Sequence, residues 1–150
     1  MRLRTALVLA AACMLLMLGC SRPSPFAFRD ATPETLEILE AGKPVLAYNH
    51  GMILKEGVEE RYRRSSYLHP LYAPDGTVLT DDFPKDHYHH RGAAWAWPIV
   101  TFLGETHDVW AVQGMHQRFV RWVDRSTATD RAVLAVENGW FVGDRKAVAE

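Results

Sequence analysis

Along most of the chain apolar side chains alternate with polar ones, the period of a half-buried strand, and glycine or proline interrupts the alternation at short intervals. The breaks at Gly42, Gly51, Gly57, Pro70, Gly76, Pro84, Gly92, Gly104 and Gly114 leave room for strands and for few long helices. Strands are expected over residues 66–72, 77–80, 93–103, 119–123 and 132–137. Pro74-Asp75-Gly76 separates two of them and reads as a turn, proline presetting φ and glycine supplying a positive φ. Residues 32–41 also carry helix signals, with Thr32 as a cap, Pro33 at the first position and Gly42 as the stop. Leu36 and Ile38 nevertheless share one face of an extended chain, and Gly42-Lys43-Pro44 turns into a second apolar run over 45–48. A hairpin is expected there, and the expected fold is all-β, an antiparallel β-sandwich.

The N-terminus breaks the alternation. Arg2 and Arg4 precede an uncharged apolar run over residues 6–18, too short for a membrane span of ~20 residues and matched to a signal-peptide core. Met17-Leu18-Gly19-Cys20 resembles a bacterial lipobox, with Met17 where leucine is usual, in which the cysteine is lipidated and becomes the new N-terminus. Acyl chains contribute ~0.8 kcal/mol per buried CH₂, so several on Cys20 would anchor the chain to a membrane. Ser21 after the cysteine resembles the Gram-negative pattern for the outer membrane. The expected partition is a lipoprotein signal peptide over 1–19, a tether over 20–31 and a β-domain over 32–150. The expected location is the bacterial cell envelope, lipid-anchored at the outer membrane or the periplasmic face. Of the two cysteines, Cys13 lies in the leader and Cys20 at the lipid site, so the domain has no thiol for a disulfide, a metal or a nucleophile.

Composition narrows the classes further. With 48% hydrophobic and 23% charged residues the chain is neither disordered nor a polytopic membrane protein. The net charge of −1 becomes about −3 once Arg2 and Arg4 leave with the leader, which excludes the basic footprint of a nucleic-acid binder.

Polar chemistry concentrates in one segment. Four of the seven histidines fall within residues 69–90, where Asp81, Asp82, Lys85, Asp86, His87, His89, His90 and Arg91 follow His69 closely. On an extended backbone His87 and His89 would point to the same side. Such a pair can present two imidazoles to a metal, with His69, His90, Asp82 or Asp86 completing the set. The same atoms suit acid–base chemistry, His87 and His89 exchanging protons, Asp86 or Asp82 orienting an imidazole, and Lys85 and Arg91 flanking them. A third reading is a hydrogen-bonded network that only pins a loop, with Tyr67, Tyr72 and Tyr88 as partners. Trp95 and Trp97 would share one face of the next strand, as a stacking platform for a sugar ring or as sandwich core. Trp110, Trp122 and Trp140 read as core. His116 reaches the segment only if its strand packs beside 93–103.

His69-Pro70-Leu71-Tyr72, Asp82-Phe83-Pro84-Lys85-Asp86-His87, His89-His90-Arg91-Gly92 and Trp95-Ala96-Trp97 together resemble the bacterial PmoA-like family, a family of unknown function. The likeness runs from about Gly42 to the end of the chain and includes Glu137-Asn138-Gly139-Trp140. It implies an exported protein about twice this mature length, which makes this chain the front part of a larger sandwich. The family's distinctive polar positions fall on His69, Asp86, His87, His89, His90 and Arg91. The family's name points to a methane oxygenase subunit that spans the membrane many times, whereas this chain has a single short apolar run.

The leading expectation is a lipid-anchored protein with a histidine-rich polar pocket for a carbohydrate-like ligand. His87, His89 and Asp86 would do acid–base work, and His69, His90, Arg91, Lys85, Trp95 and Trp97 would hold the ligand. The alternatives are a divalent-metal site on His87, His89 and His69, and a non-catalytic binding or structural lipoprotein.

Overall fold

The computed structural model describes residues 23–149; the leader over 1–19 and the lipidation site Cys20 lie outside the described residues. Within them the alternating pattern forms ten strands, all paired antiparallel, and one turn of 3-10 helix at Glu60–Tyr62. No described helix is long and apolar enough to cross a membrane.

The first sheet has the order β1 (Phe26–Thr32), β2 (Thr35–Glu40), β3 (Lys43–Asn49), β4 (Tyr67–Leu71) and β5 (Ala93–Ala94). The expected hairpin joins β2 to β3 through Ala41 and Gly42, both at positive φ (49° and 78°). Two such residues make the tight turn whose twist suits antiparallel strands. Part of the stretch over 20–31, expected as a tether, is a strand. Phe26–Thr32 pairs with β2 from Phe26↔Glu40 to Thr32↔Thr35, and Arg29 holds Glu37 across the ladder at 2.5 Å. The expected strand over 93–103 is split into β5 and β6 (Val100–Phe102), with Pro98, which has no N–H to give a ladder, between them. β6 pairs with β7 (Glu105–His107) in a two-stranded ribbon. Residues 77–80 give only an isolated bridge, Tyr72↔Val78, beyond the Pro74-Asp75-Gly76 turn. That turn forms, Gly76 N–H donating to Ala73 O at 2.9 Å.

The second large sheet is a long hairpin of β8 (His116–Thr127) and β9 (Ala132–Val142), flanked by β10 (Arg145–Ala149) in the order β10-β9-β8. It absorbs the runs expected over 119–123 and 132–137. The two large sheets meet through a polar seam inside an aromatic one. Tyr48 and Ser66 hydroxyls both donate to Asn138 Oδ1 at 2.9 Å, and Phe119 N–H donates to Ser65 Oγ at 3.2 Å. Tyr48 meets Trp122 edge-on at 6.0 Å, and His50 packs against Phe119 and Trp122. Leu36, Leu39, Ala47 and Tyr67 are buried in the first sheet, whereas Val109, Met115 and Trp140 form a second cluster under β9. An apolar cleft of about 570 Å³ opens between the sheets, lined among others by Ile38, Leu46, Leu68, Trp95, Leu134 and Val136.

Candidate functional site

The histidine segment leaves β4 and returns to β5 as a clasped loop. Asp82 and Arg91 form an isolated antiparallel bridge at its base, Gly92 N–H donates to Asp81 O at 2.8 Å, and Phe83 N–H to His90 O at 3.3 Å. Two turns follow inside the clasp, His87 N–H donating to Pro84 O (3.1 Å) and His90 N–H to His87 O (2.9 Å). The backbone is therefore not extended, yet the His87 and His89 rings meet at 5.6 Å, brought together by the turns and not by strand alternation. Gly92 sits at φ 50°, and a Cβ there would come within 2.1 Å of Leu68 O, so only glycine lets the loop rejoin the sheet.

Arg91 is the clasp's central residue, and the expectation that it meets a ligand is corrected. Its guanidinium is fully enclosed, stacked 3.5 Å from the Phe83 ring centroid and 4.4 Å from that of Tyr67. It is paired with Asp82, bonds the Tyr67 hydroxyl, and donates to Ile53 O (3.2 Å) and Tyr62 O (3.3 Å). A buried cation supplied with a carboxylate and three oxygen acceptors is fully occupied by the fold. Burial also pushes the Tyr67 phenol well above its ordinary pKa, which keeps it a neutral donor to Asp82 Oδ2 at 3.3 Å.

Within the clasp three imidazoles pack on one another. His87 stacks on His90 (4.9 Å, 10° between planes), and His89 meets His90 edge-on at 4.4 Å. The exposed His87 Nδ1 lies 3.0 Å from Asp86 Oδ2. The Asp86 carboxyl is held below its usual range by its own backbone N–H and by His87. His89 is the inner ring. Burial, then the neighbouring His90 and His87, depress its pKa below the usual 6.5, so it is a neutral imidazole at neutral pH. Its Nε2 is buried without a hydrogen-bond partner.

His89 and His90 share a cavity of about 100 Å³ with Arg64, Gly92, Ala94, Ala96 and Trp110, walled by Arg91. Trp110 meets the His89 ring at 4.5 Å and the His90 ring at 5.4 Å while remaining 45% exposed, so it is not the core residue expected. Arg64, by contrast, is only 4% exposed. Its Nη1 donates to His89 O at 3.4 Å and its Nη2 has no partner. Desolvation lowers its pKa to about 10, which still leaves it a cation at neutral pH.

The structure thus gathers His89, His90 and, by stacking, His87 with Asp86. It does not gather the others. The His69 ring is engaged with Thr80 Oγ1 at 2.9 Å, and Lys85 is exposed in the first turn. Ala94 and Ala96 face the cavity, so Trp95 and Trp97 project elsewhere, Trp95 into the apolar cleft and Trp97 against Trp140 at 4.9 Å. Residues 95–97 are not a strand, but the two rings still lie side by side, 6.1 Å apart, away from the histidines. The metal set of His87, His89 and His69 is not assembled, and among the described residues no group of three or more His, Cys, Asp or Glu is placed to hold an ion. His116 pairs in β8 and lines a separate recess with Arg63 and Arg118. Arg64 and Trp110 are the functional candidates that sequence reasoning missed. Arg64 stands five residues before His69 with nothing to mark it as buried.

Fold and site define an antiparallel all-β protein carrying a clasped histidine loop beside a half-exposed tryptophan. The chain belongs to the family of unknown function DUF6807, whose model matches residues 35–150. No curated protein and no solved structure matches it.

Proposed function

We propose that this is a carbohydrate-binding protein of the bacterial cell envelope, with its site at His89, His90 and Trp110. The observation that carries the reading is the half-exposed Trp110 ring standing against two imidazoles at the mouth of a polar cavity. An aromatic face takes the apolar side of a sugar ring, and a neutral imidazole offers one donor and one acceptor to its hydroxyls. The His87–Asp86 pair at the rim adds an imidazole oriented for proton transfer to a bound hydroxyl. The finer likeness to the PmoA-like proteins, the lipid anchor on Cys20 and an outer-membrane or periplasmic location belong to the same proposal. They are supported by the lipobox-like Met17-Leu18-Gly19-Cys20 and by the phrase Asp82-Phe83-Pro84-Lys85-Asp86-His87.

Isothermal titration of the full mature chain against a panel of neutral and acidic oligosaccharides tests the site. Binding is expected, and Trp110→Ala and His89→Ala are expected to abolish it while the melting curve stays cooperative. Absence of binding across the panel would refute it. Mass spectrometry of the N-terminal peptide tests the anchor: an acylated Cys20 is expected, and an unmodified cysteine would exclude it.

A further inference from the structure

The cavity holds a charge imbalance that the fold does not resolve. Two guanidinium groups, Arg64 and Arg91, lie close together in the interior, and each repels the other's charge. Arg91 is neutralised by Asp82. Arg64 has no carboxylate partner among the described residues, and its only side-chain hydrogen bond is the long one to His89 O. Taking a cation out of water costs several kcal/mol unless a counter-charge or a full set of acceptors replaces the water. Native interiors rarely leave such a group unsatisfied, and an orphaned one calls for an explanation such as a bound water, ion or ligand. Arg64 and His89 both line the cavity, and Arg64 Nη2 and His89 Nε2 are buried without a hydrogen-bond partner. The cavity, about 100 Å³ and open on one side to solvent, has room for a carboxylate.

We propose that this cavity takes the carboxylate of an acidic sugar, with Arg64 as the residue that recognises its charge. Arg64 Nη2 donates to one carboxylate oxygen and His89, through its N–H, to the other. The ring of the same sugar lies outside the cavity against Trp110. This rests on the carbohydrate reading above and narrows it to uronate-type ligands, neutral sugars lacking the group that fills the pocket.

The test compares one oligosaccharide in two forms, oligogalacturonate and its methyl ester, titrated into the full mature chain. Esterification removes the charge and adds one methyl at the carboxylate alone, and the comparison does not depend on a variant folding. The free acid is expected to bind about tenfold more tightly or better, the scale of one charge-assisted hydrogen bond. Arg64→Gln is expected to abolish that preference, with circular dichroism confirming the fold. Equal affinity for acid and ester overturns the inference and leaves the carbohydrate reading standing. If neither form binds but acetate or sulfate raises the melting temperature of the wild type and not of Arg64→Gln, the anion pocket stands and the sugar reading falls. If neither sugars nor simple anions act, both fall.

Discussion

Removal of the Asp82 carboxylate is the perturbation whose size the structure constrains best. Asp82→Ala leaves the Arg91 guanidinium enclosed with no counter-charge, since its other contacts are neutral oxygens and two aromatic faces. Breaking a buried pair from one side costs about 3–5 kcal/mol. Asp82 retains 18% side-chain exposure, so water hydrates part of the vacated site and the lower end, about 3 kcal/mol, applies. Arg91→Met removes the cation but orphans the acceptor at Tyr62 O, Ile53 O keeping the Arg64 N–H, at about 1–3 kcal/mol. The double variant has no unpaired charge and should be no worse than Arg91→Met, giving a coupling of about 3 kcal/mol in the cycle. Urea unfolding followed by tryptophan fluorescence measures all four proteins. For a domain of this size 3 kcal/mol corresponds to a drop in Tm of about 10 °C. Additive effects, with a coupling under about 0.5 kcal/mol, would refute the clasp as an electrostatic unit.

Gly92→Ala should be as damaging by a different route, because its Cβ would collide with Leu68 O at 2.1 Å; a loss of about 2–4 kcal/mol in the same urea assay is expected. Trp140→Ala should cost about 3–5 kcal/mol, its ring being buried beside Val109 and Met115, whereas Trp110→Ala should cost far less and be read in ligand affinity instead. His50, His89 and His116 all have folded pKa values depressed below 6.5, each by burial first. The unfolded chain therefore binds more protons as pH falls through 6.5, and stability should decline between pH 7.5 and 5.5, before the carboxylates titrate. Thermal unfolding at the two pH values checks this, and a rise in Tm on acidification would contradict the direction.

Those features written in short-range chemistry were legible in the chain. The β2–β3 hairpin follows from the alternation through Leu36 and Ile38 and from a glycine able to hold positive φ, and the Pro74-Asp75-Gly76 turn from its own three residues. Clustering of polar residues also pointed to the loop that holds His87, His89 and His90. The remainder is tertiary. Phe26–Thr32 becomes a strand only because β2 offers it a partner, and its mixed side chains show little of that. His87 and His89 do come together, but through turns and not through the period-two backbone expected, because Asp82 and Arg91 pair across the loop. Whether an arginine is a clasp, like Arg91, or an unpaired cation, like Arg64, depends on which chains surround it. Trp110 and Trp140 illustrate the same point, one half in solvent and one enclosed, with nothing in their local sequence to separate them.

The clasp at Asp82 and Arg91 also divides the labour of the sequence between recognition and architecture. The paired groups that close the loop lie at its base or in the strand beneath, in Asp82, Phe83, Arg91, Gly92 and Tyr67, while Arg64 and Trp110 brace it from the side. Residues 84–90 make no ladder contact with either sheet. Their identity can change what is gripped without changing whether the chain folds, while a single change at the base removes both at once. Such a hinge-free bezel lends itself to grafting: a different set of side chains over 84–90 would inherit the same rigid mounting, beside the same tryptophan.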